Sequence, residues 1–149
     1  MRVVAALATV ALLAACSGGG DGNERLSKDE YVEQADAVCA EYESRLGGLP
    51  DPGSIAALRA LTQRALPVAR EAVAKLRALR PPEALQAPVD EWLRLNTLNV
   101  RRIEELGNAA RAGDRVRVQE IARDAAANER EADRVARAIG LEACAETEG

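Results

Sequence analysis

Apolar residues recur along this chain at the three- and four-residue spacing typical of helices. No segment alternates apolar with polar residues in the β-branched or aromatic runs that are typical of a half-buried strand. Breaks containing glycine or proline interrupt the pattern at residues 46–54, 80–83 and 112–114. The pattern therefore predicts an all-α protein with four helices.

The first two predicted helices begin at serines. Ser27 has Glu30 three residues after it, the spacing of a capping box, and Ser54 precedes the second apolar stripe. Pro67 lies inside the second helix and is expected to kink it, because its ring removes one backbone hydrogen bond. The stripes are Tyr31, Ala35, Val38, Tyr42 and Leu46 in helix one, and Leu58, Leu61, Ala65, Val68, Ala72, Leu76 and Leu79 in helix two.

The last two helices are bounded by proline, glycine and aspartate. The third is predicted to begin near Pro82 or Pro88 and to end before Gly113, a residue suited to the left-handed conformation of a C-terminal cap. Asp114 is expected to cap the fourth, and Gly140 to stop it. The stripe of the fourth helix is Val118, Ile121, Ala125, Asn128, Ala132, Val135 and Ile139.

Residues 27–149 are sufficient for one domain, predicted as an antiparallel four-helix bundle. If helices three and four form a hairpin at their short turn, the numbers of facing residues add up to about 227. This register brings apolar residues of the two helices together. The facing pairs are Leu106 with Ile121, Ile103 with Ala125, Trp92 with Val135 and Val89 with Ile139.

The same register places a polar layer in this apolar seam. Asn99 faces Asn128, and Asn96 lies one turn away. Paired asparagines in such a seam fix the register of two helices. The alternative is a small polar pocket beside Trp92 and the alanines of helix four, in which a ligand or water is held.

The N-terminus carries a different signal. An apolar stretch at residues 3–15, too short to span a bilayer, ends in Leu-Ala-Ala-Cys at 13–16. This sequence resembles the lipobox of bacterial lipoproteins, which implies cleavage of a signal peptide at residues 1–15 and diacylglycerol on Cys16. Residues 16–26 are then a flexible tether. The implied location is the extracytoplasmic face of a cell membrane. The alternatives are a plain signal peptide and a buried N-terminal helix in which Cys16 is incidental.

The cysteine count is consistent with export. If Cys16 carries lipid, Cys39 and Cys144 remain, and outside the cytoplasm such a pair usually forms a disulfide, two free thiols being the alternative. In a flush bundle, however, Cys39 lies roughly 25 Å from the level of Ile139 along the bundle. The disulfide therefore requires the tip of helices three and four to project beyond helices one and two, or helix two to bend at Pro67.

The composition disfavours catalysis. The chain has no histidine, which removes the common catalytic triads, di-iron bundle sites, haem attachment and most zinc sites. The carboxylate pairs Glu104/Glu105 and Glu41/Glu43 are poor acid–base candidates, because neighbouring residues point apart on a helix. We expect no catalytic, metal-binding or cofactor-binding residue, no cofactor, and no enzyme activity.

Charge is distributed unevenly, although the net charge is only −4. Between residues 28 and 46 there are two basic and six acidic residues, whereas between 55 and 80 there are six basic and one acidic. The two helices either compensate each other or leave a basic surface for anionic lipid or envelope polymer. A nucleic-acid partner is not expected for an acidic, exported domain.

The whole chain resembles the small exported α-helical lipoproteins of high-GC bacteria. The shared features are the lipobox, a polar tether, a cysteine in the first helix, Pro81-Pro82 in mid-chain, and Gly140-Leu141-Glu142-Ala143-Cys144 near the end. The resemblance implies a lipid anchor and a bundle, with no established activity. The leading hypothesis is a non-enzymatic envelope module that contacts the membrane and an envelope protein or polymer; the alternative is a ligand-binding or sensor lipoprotein with a pocket in the bundle.

Overall fold

The protein is a bundle of four α-helices in a computed structural model that describes residues 24–47 and 52–145. The predicted signal peptide, Cys16 and most of the predicted tether lie outside these residues. No strand occurs in the described part, and the all-α prediction is confirmed. The helices are α1 (Lys28–Leu46), α2 (Ile55–Ala78), α3 (Gln86–Ala112) and α4 (Arg115–Ile139), and a short 3-10 helix (Glu83–Leu85) precedes α3.

The local signals at the helix ends act as predicted. Ser27 and Glu30 form a reciprocal capping box at α1, and the Ser54 side chain accepts the Ala57 N–H at α2. The helix α2 continues through Pro67. At the start of α3 both predicted prolines are used, since Pro82 precedes the 3-10 helix and Pro88 lies in the first turn of the α-helix.

The turns that follow α3 and α4 each depend on a glycine. Gly113 and Gly140 have φ of 70° and 99°, a conformation that side chains with a Cβ rarely adopt. Asp114 accepts the Arg117 N–H and so caps α4. Gly113, which ends α3, and Asp114, which caps α4, are consecutive residues. Their adjacency explains why α3 and α4 form a tight antiparallel hairpin.

The helices pack in chain order, α1 on α2, α2 on α3, and α3 on α4. One half of the bundle contains a filled core, in which Trp92 and Leu76 are 2% and 3% exposed and Ile139 is fully buried. The buried members of this core are Tyr31, Ala35, Leu76, Val89, Trp92, Leu95, Ala132, Val135, Ala136, Ile139, Leu141 and Ala145.

The first helix covers only half of the bundle. Arg45, in its last turn, pairs with Glu71 at 2.8 Å, so α1 ends level with the middle of α2. From there α2 extends about 23 Å further at 1.5 Å per residue, and its Thr62 lies against Gly107 near the end of α3. Beyond Leu46 the described part of the bundle therefore consists of α2, α3 and α4.

This offset accommodates the disulfide between Cys39 and Cys144, whose Cα atoms are 5.1 Å apart. The chain turns back after Gly140, and the Asp36 carboxylate accepts the N–H groups of Glu142 and Cys144 at 3.2 and 3.3 Å. The expected projection of the α3–α4 tip is present with respect to α1. The expectation that this tip also projects beyond α2 was wrong. The helix α2 runs beside the tip, because α1 and α2 are offset along the bundle and not flush.

The bundle also holds the end of the predicted tether. Leu26 donates its N–H to the Arg80 carbonyl at 2.9 Å, and Arg25 donates to Pro81 and Gln86. The chain is thus fixed from Arg25 onward, two residues before the predicted start of the domain. No helix within residues 24–47 and 52–145 combines the length and apolar character needed to cross a bilayer.

Candidate functional site

A cavity of about 420 Å³ lies inside the bundle, lined by side chains from all four helices. It lies on the side of the filled core toward the end of α1. Its floor includes Trp92 from α3 and the short side chains of Ala65, Ala69 and Ala72 from α2. Because alanine fills little volume and α1 stops at Leu46, this part of the interior is left open.

Large apolar side chains face this space without being covered. They come from α1, α2 and α3, and each remains half-buried. These residues are Leu46, Leu58, Leu61, Val73, Val100, Ile103 and Leu106. Their partial exposure distinguishes the cavity from the filled core, where residues of the same types are covered by neighbours.

The predicted asparagine layer lies at the cavity wall. Asn128 donates to the Asn99 side-chain oxygen at 2.6 Å and to the Leu95 carbonyl at 2.9 Å, across the α3–α4 seam. Asn96 instead donates to the Trp92 carbonyl of its own helix, at 2.9 Å. Asn96 and Asn99 line the cavity, so the layer consists of one inter-helical pair and one separate amide.

Carboxylates from two helices meet at the cavity opening. Glu43 of α1 and Glu129 of α4 line the cavity and are also exposed to solvent, and Asp133 lies one turn from Glu129 and is 7% exposed. The pKa of Glu129 is raised, first by desolvation and then by the negative charges of Asp133 and Glu43. Desolvation, Glu43 and Glu129 likewise raise the pKa of Tyr42 to about 12.

The single cation in the described lining is already engaged. Arg102 of α3 pairs with Glu105 at 2.8 Å and with Asp124 at 3.7 Å. Its Nε is buried and has no hydrogen-bond acceptor among the described residues. The guanidinium charge is therefore balanced by carboxylates that lie outside the cavity lining.

Ion pairs cross the seam between α1 and α2. Lys75 contacts Glu41 at 2.7 Å and Glu71 at 3.0 Å, and Glu71 also pairs with Arg45. The pair of Lys75 with Glu41 is compensation of the predicted kind, for one of the six basic residues between 55 and 80. The carboxylates Glu104 and Glu105, considered above as acid–base candidates, are likewise bound to arginines.

The acidic opening was not identified from the sequence. Glu43 appeared there only as a dismissed acid–base candidate, and Glu129 and Asp133 did not appear as site residues. The available signal was the length of the first predicted helix, too short to cover the longer α2, α3 and α4. Within the described ranges, no group of three His, Cys, Asp or Glu residues is arranged to hold a metal ion.

No protein-family model matches the chain, and the comparisons with curated proteins and with solved structures return no significant match.

Proposed function

We propose that this protein is a lipid-anchored, extracytoplasmic binding module whose bundle holds a small apolar or amphiphilic molecule. The observation that carries this proposal is the open cavity with its half-buried leucine, isoleucine and valine side chains. It favours the ligand-binding alternative over a module that acts only through surface contacts. A surface module needs no open interior.

The physical reason is the free energy of apolar burial. Covering apolar surface contributes roughly 25 cal/mol per Å², so a ligand that covers these side chains gains affinity from each of them. A cavity of 420 Å³ falls within the range of about 300–1,000 Å³ that is usual for small-molecule sites. The polar side chains of Asn96 and Asn99 in the wall provide points that orient a bound molecule.

Binding without catalysis fits the groups in the described lining. The two cysteines in the described lining, Cys39 and Cys144, are joined in a disulfide. Covalent catalysis requires a nucleophile that is hydrogen-bonded to a base, and no two described lining residues form such a pair. The exposed glutamates at the opening lie beside one another with no positioned partner. We therefore propose no reaction for this site.

Fluorescence of Trp92 tests the proposed binding. Trp92 is the chain's single tryptophan and lies in the cavity wall, so a ligand in the cavity changes its emission. The protein is reconstituted in phosphatidylcholine nanodiscs and titrated with decanol, with N-acetyltryptophanamide added to empty nanodiscs as the reference. A saturable change in the protein alone supports the proposal, and a change that merely follows partition into the disc contradicts it.

The anchor is the second part of the proposal, supported by the lipobox at residues 13–16. Cys16→Ser is expected to accumulate as an unprocessed precursor that incorporates no labelled fatty acid, because the acceptor thiol is absent. Cys39→Ser is the matched control and is expected to retain the label. Labelling of the Cys16→Ser protein would contradict the anchor.

A further inference from the structure

The charges around the cavity select among apolar ligands. Among the described residues that line it, three carry a carboxylate, Glu43, Glu129 and Asp133, and one carries a guanidinium, Arg102. That guanidinium is bound by Glu105 and Asp124. The field at the opening is therefore set by the carboxylates.

Two of these carboxylates have no cationic partner in the part of the chain that the structure describes. No hydrogen bond or ion pair joins the side chain of Glu43 or Glu129 to another described residue. The neighbouring stretches at 48–51 and 146–149 contain no lysine or arginine. Arg130 follows Glu129 in sequence, but consecutive helical residues point to different faces.

The repulsion between the carboxylates of Glu43 and Glu129 is strengthened by the partial desolvation of Glu129. Desolvation at the cavity opening, together with the negative charges of Asp133 and Glu43, disfavours the ionised form of Glu129 and so raises its pKa. A cation placed between the two helices removes this repulsion, and a compact ammonium group needs no directional partner. An anion at the same place meets two carboxylates that no described lysine or arginine compensates.

We infer that the cavity takes a cationic amphiphile, with its apolar body against the leucine-lined wall and its ammonium group between Glu43 and Glu129. This inference rests on the proposed function and adds the chemical class of the ligand. The apolar wall and the acidic opening belong to one continuous cavity. A molecule with a single apolar chain and a cationic end matches both parts at once.

The test compares three probes that share one apolar chain: decyltrimethylammonium, decanol and decyl sulfate. Each is titrated into the full chain in phosphatidylcholine nanodiscs, with empty discs subtracted. The cation is expected to bind about tenfold tighter than the alcohol at low salt. The reason is that the two nearby carboxylates act through an effective dielectric constant that lies between those of the protein interior and of water. The sulfate is expected to bind weakest.

The variant Glu43→Gln/Glu129→Gln separates charge from apolar binding. It is expected to bind decanol within about twofold of the unmodified protein and to lose the preference for the cation. Glu33→Gln/Glu120→Gln removes the same charge from exposed sites on α1 and α4 outside the cavity, and is expected to keep that preference.

The outcomes distinguish the two proposals. If decanol binds but the cation has no advantage, if the advantage survives in Glu43→Gln/Glu129→Gln, or if the sulfate binds best, the cationic class is refuted and the cavity remains a binding site. If none of the three probes binds to the unmodified protein, the proposed function itself fails.

Discussion

The Asn128 side chain donates one hydrogen bond to the Asn99 oxygen at 2.6 Å and another to the Leu95 carbonyl at 2.9 Å, joining α3 to α4 beside the cavity. Asn128→Leu removes the donor to the Asn99 oxygen, and Asn99→Leu leaves Asn128 with only one of its two acceptors, the Leu95 carbonyl. Each single variant is expected to lose about 1–3 kcal/mol of unfolding free energy. The double variant is expected to lose much less than the sum, because no orphaned amide remains.

Chemical denaturation of Asn99→Leu, Asn128→Leu and the double variant measures this coupling. Asn108→Leu, at an exposed position near the end of α3, is the control and is expected to have little effect. Additive losses in the double variant would mean that the two amides do not depend on each other for stability.

Reduction of the disulfide is expected to destabilise the fold strongly. Cys39 and Cys144 are separated by 105 residues, and the chain-entropy model assigns about 4.7 kcal/mol to closing a loop of that size. Thermal melts with and without reductant should differ by many degrees, and intact mass should show two additional hydrogens after reduction. Asp36→Asn keeps the disulfide but weakens the contact with Glu142 and Cys144, so it is expected to cause a smaller loss.

Gly107 and Thr62 form a close contact between α2 and α3. A Cβ on Gly107 would lie 2.9 Å from the Thr62 hydroxyl, which itself donates to the Arg59 carbonyl. Gly107→Ala is therefore expected to destabilise the protein by about 1 kcal/mol through overpacking. In a Thr62→Ala background the same change should stabilise by about 0.5–1 kcal/mol, the helix propensity of alanine over glycine. An equal effect in both backgrounds would contradict the contact.

Tyrosine titration gives a prediction for alkaline pH. Tyr31 is fully buried, and its hydroxyl has no hydrogen-bond partner among residues 24–47 and 52–145. Desolvation, followed by the charge of Asp90, raises its pKa to about 12. Tyr42 also has its pKa raised to about 12, and the chain contains only these two tyrosines. The native protein should therefore show little tyrosinate absorbance near pH 10, where the unfolded chain is half-titrated.

The sign of the accompanying stability change follows from linkage. Both tyrosines have a higher pKa when folded, so their contribution is fully present below the unfolded value of 10 and is lost as pH rises to about 12. The loss is on the order of 2 kcal/mol per tyrosine. Tyr31→Phe should reduce this alkaline loss and leave stability at neutral pH similar or higher. An unchanged alkaline loss in Tyr31→Phe would contradict the assignment.

Local chemistry explains why the helices and one register were predictable. Ser27, Gly113 and Gly140 act through backbone geometry within a few residues, and such signals can be read without a structure. The pairing of Asn99 with Asn128 followed from the tight hairpin at Gly113, which fixes the phase of two long stripes. These features depend on contacts close to a turn.

The cavity was not predictable in the same way. It depends on the offset between α1 and α2, which is seen in the level of the Arg45–Glu71 ion pair and in the disulfide of Cys39 with Cys144. Neither hydrophobic period nor capping residues specify such an offset, because it arises from packing between distant segments. Glu43 and Glu129 are likewise brought together only by the fold, and each alone has the pattern of an ordinary surface residue.

Calorimetric titration of decanol into two matched phenylalanine variants tests the central claim most directly. Ala72 of α2 lines the cavity, whereas Ala74, two residues further on, is exposed outside it. Ala72→Phe places a ring in the cavity and is expected to weaken decanol binding at least about tenfold, with helix content retained. Ala74→Phe is expected to bind like the unmodified protein. Equal binding by both variants, or no binding by the unmodified protein, would contradict the account.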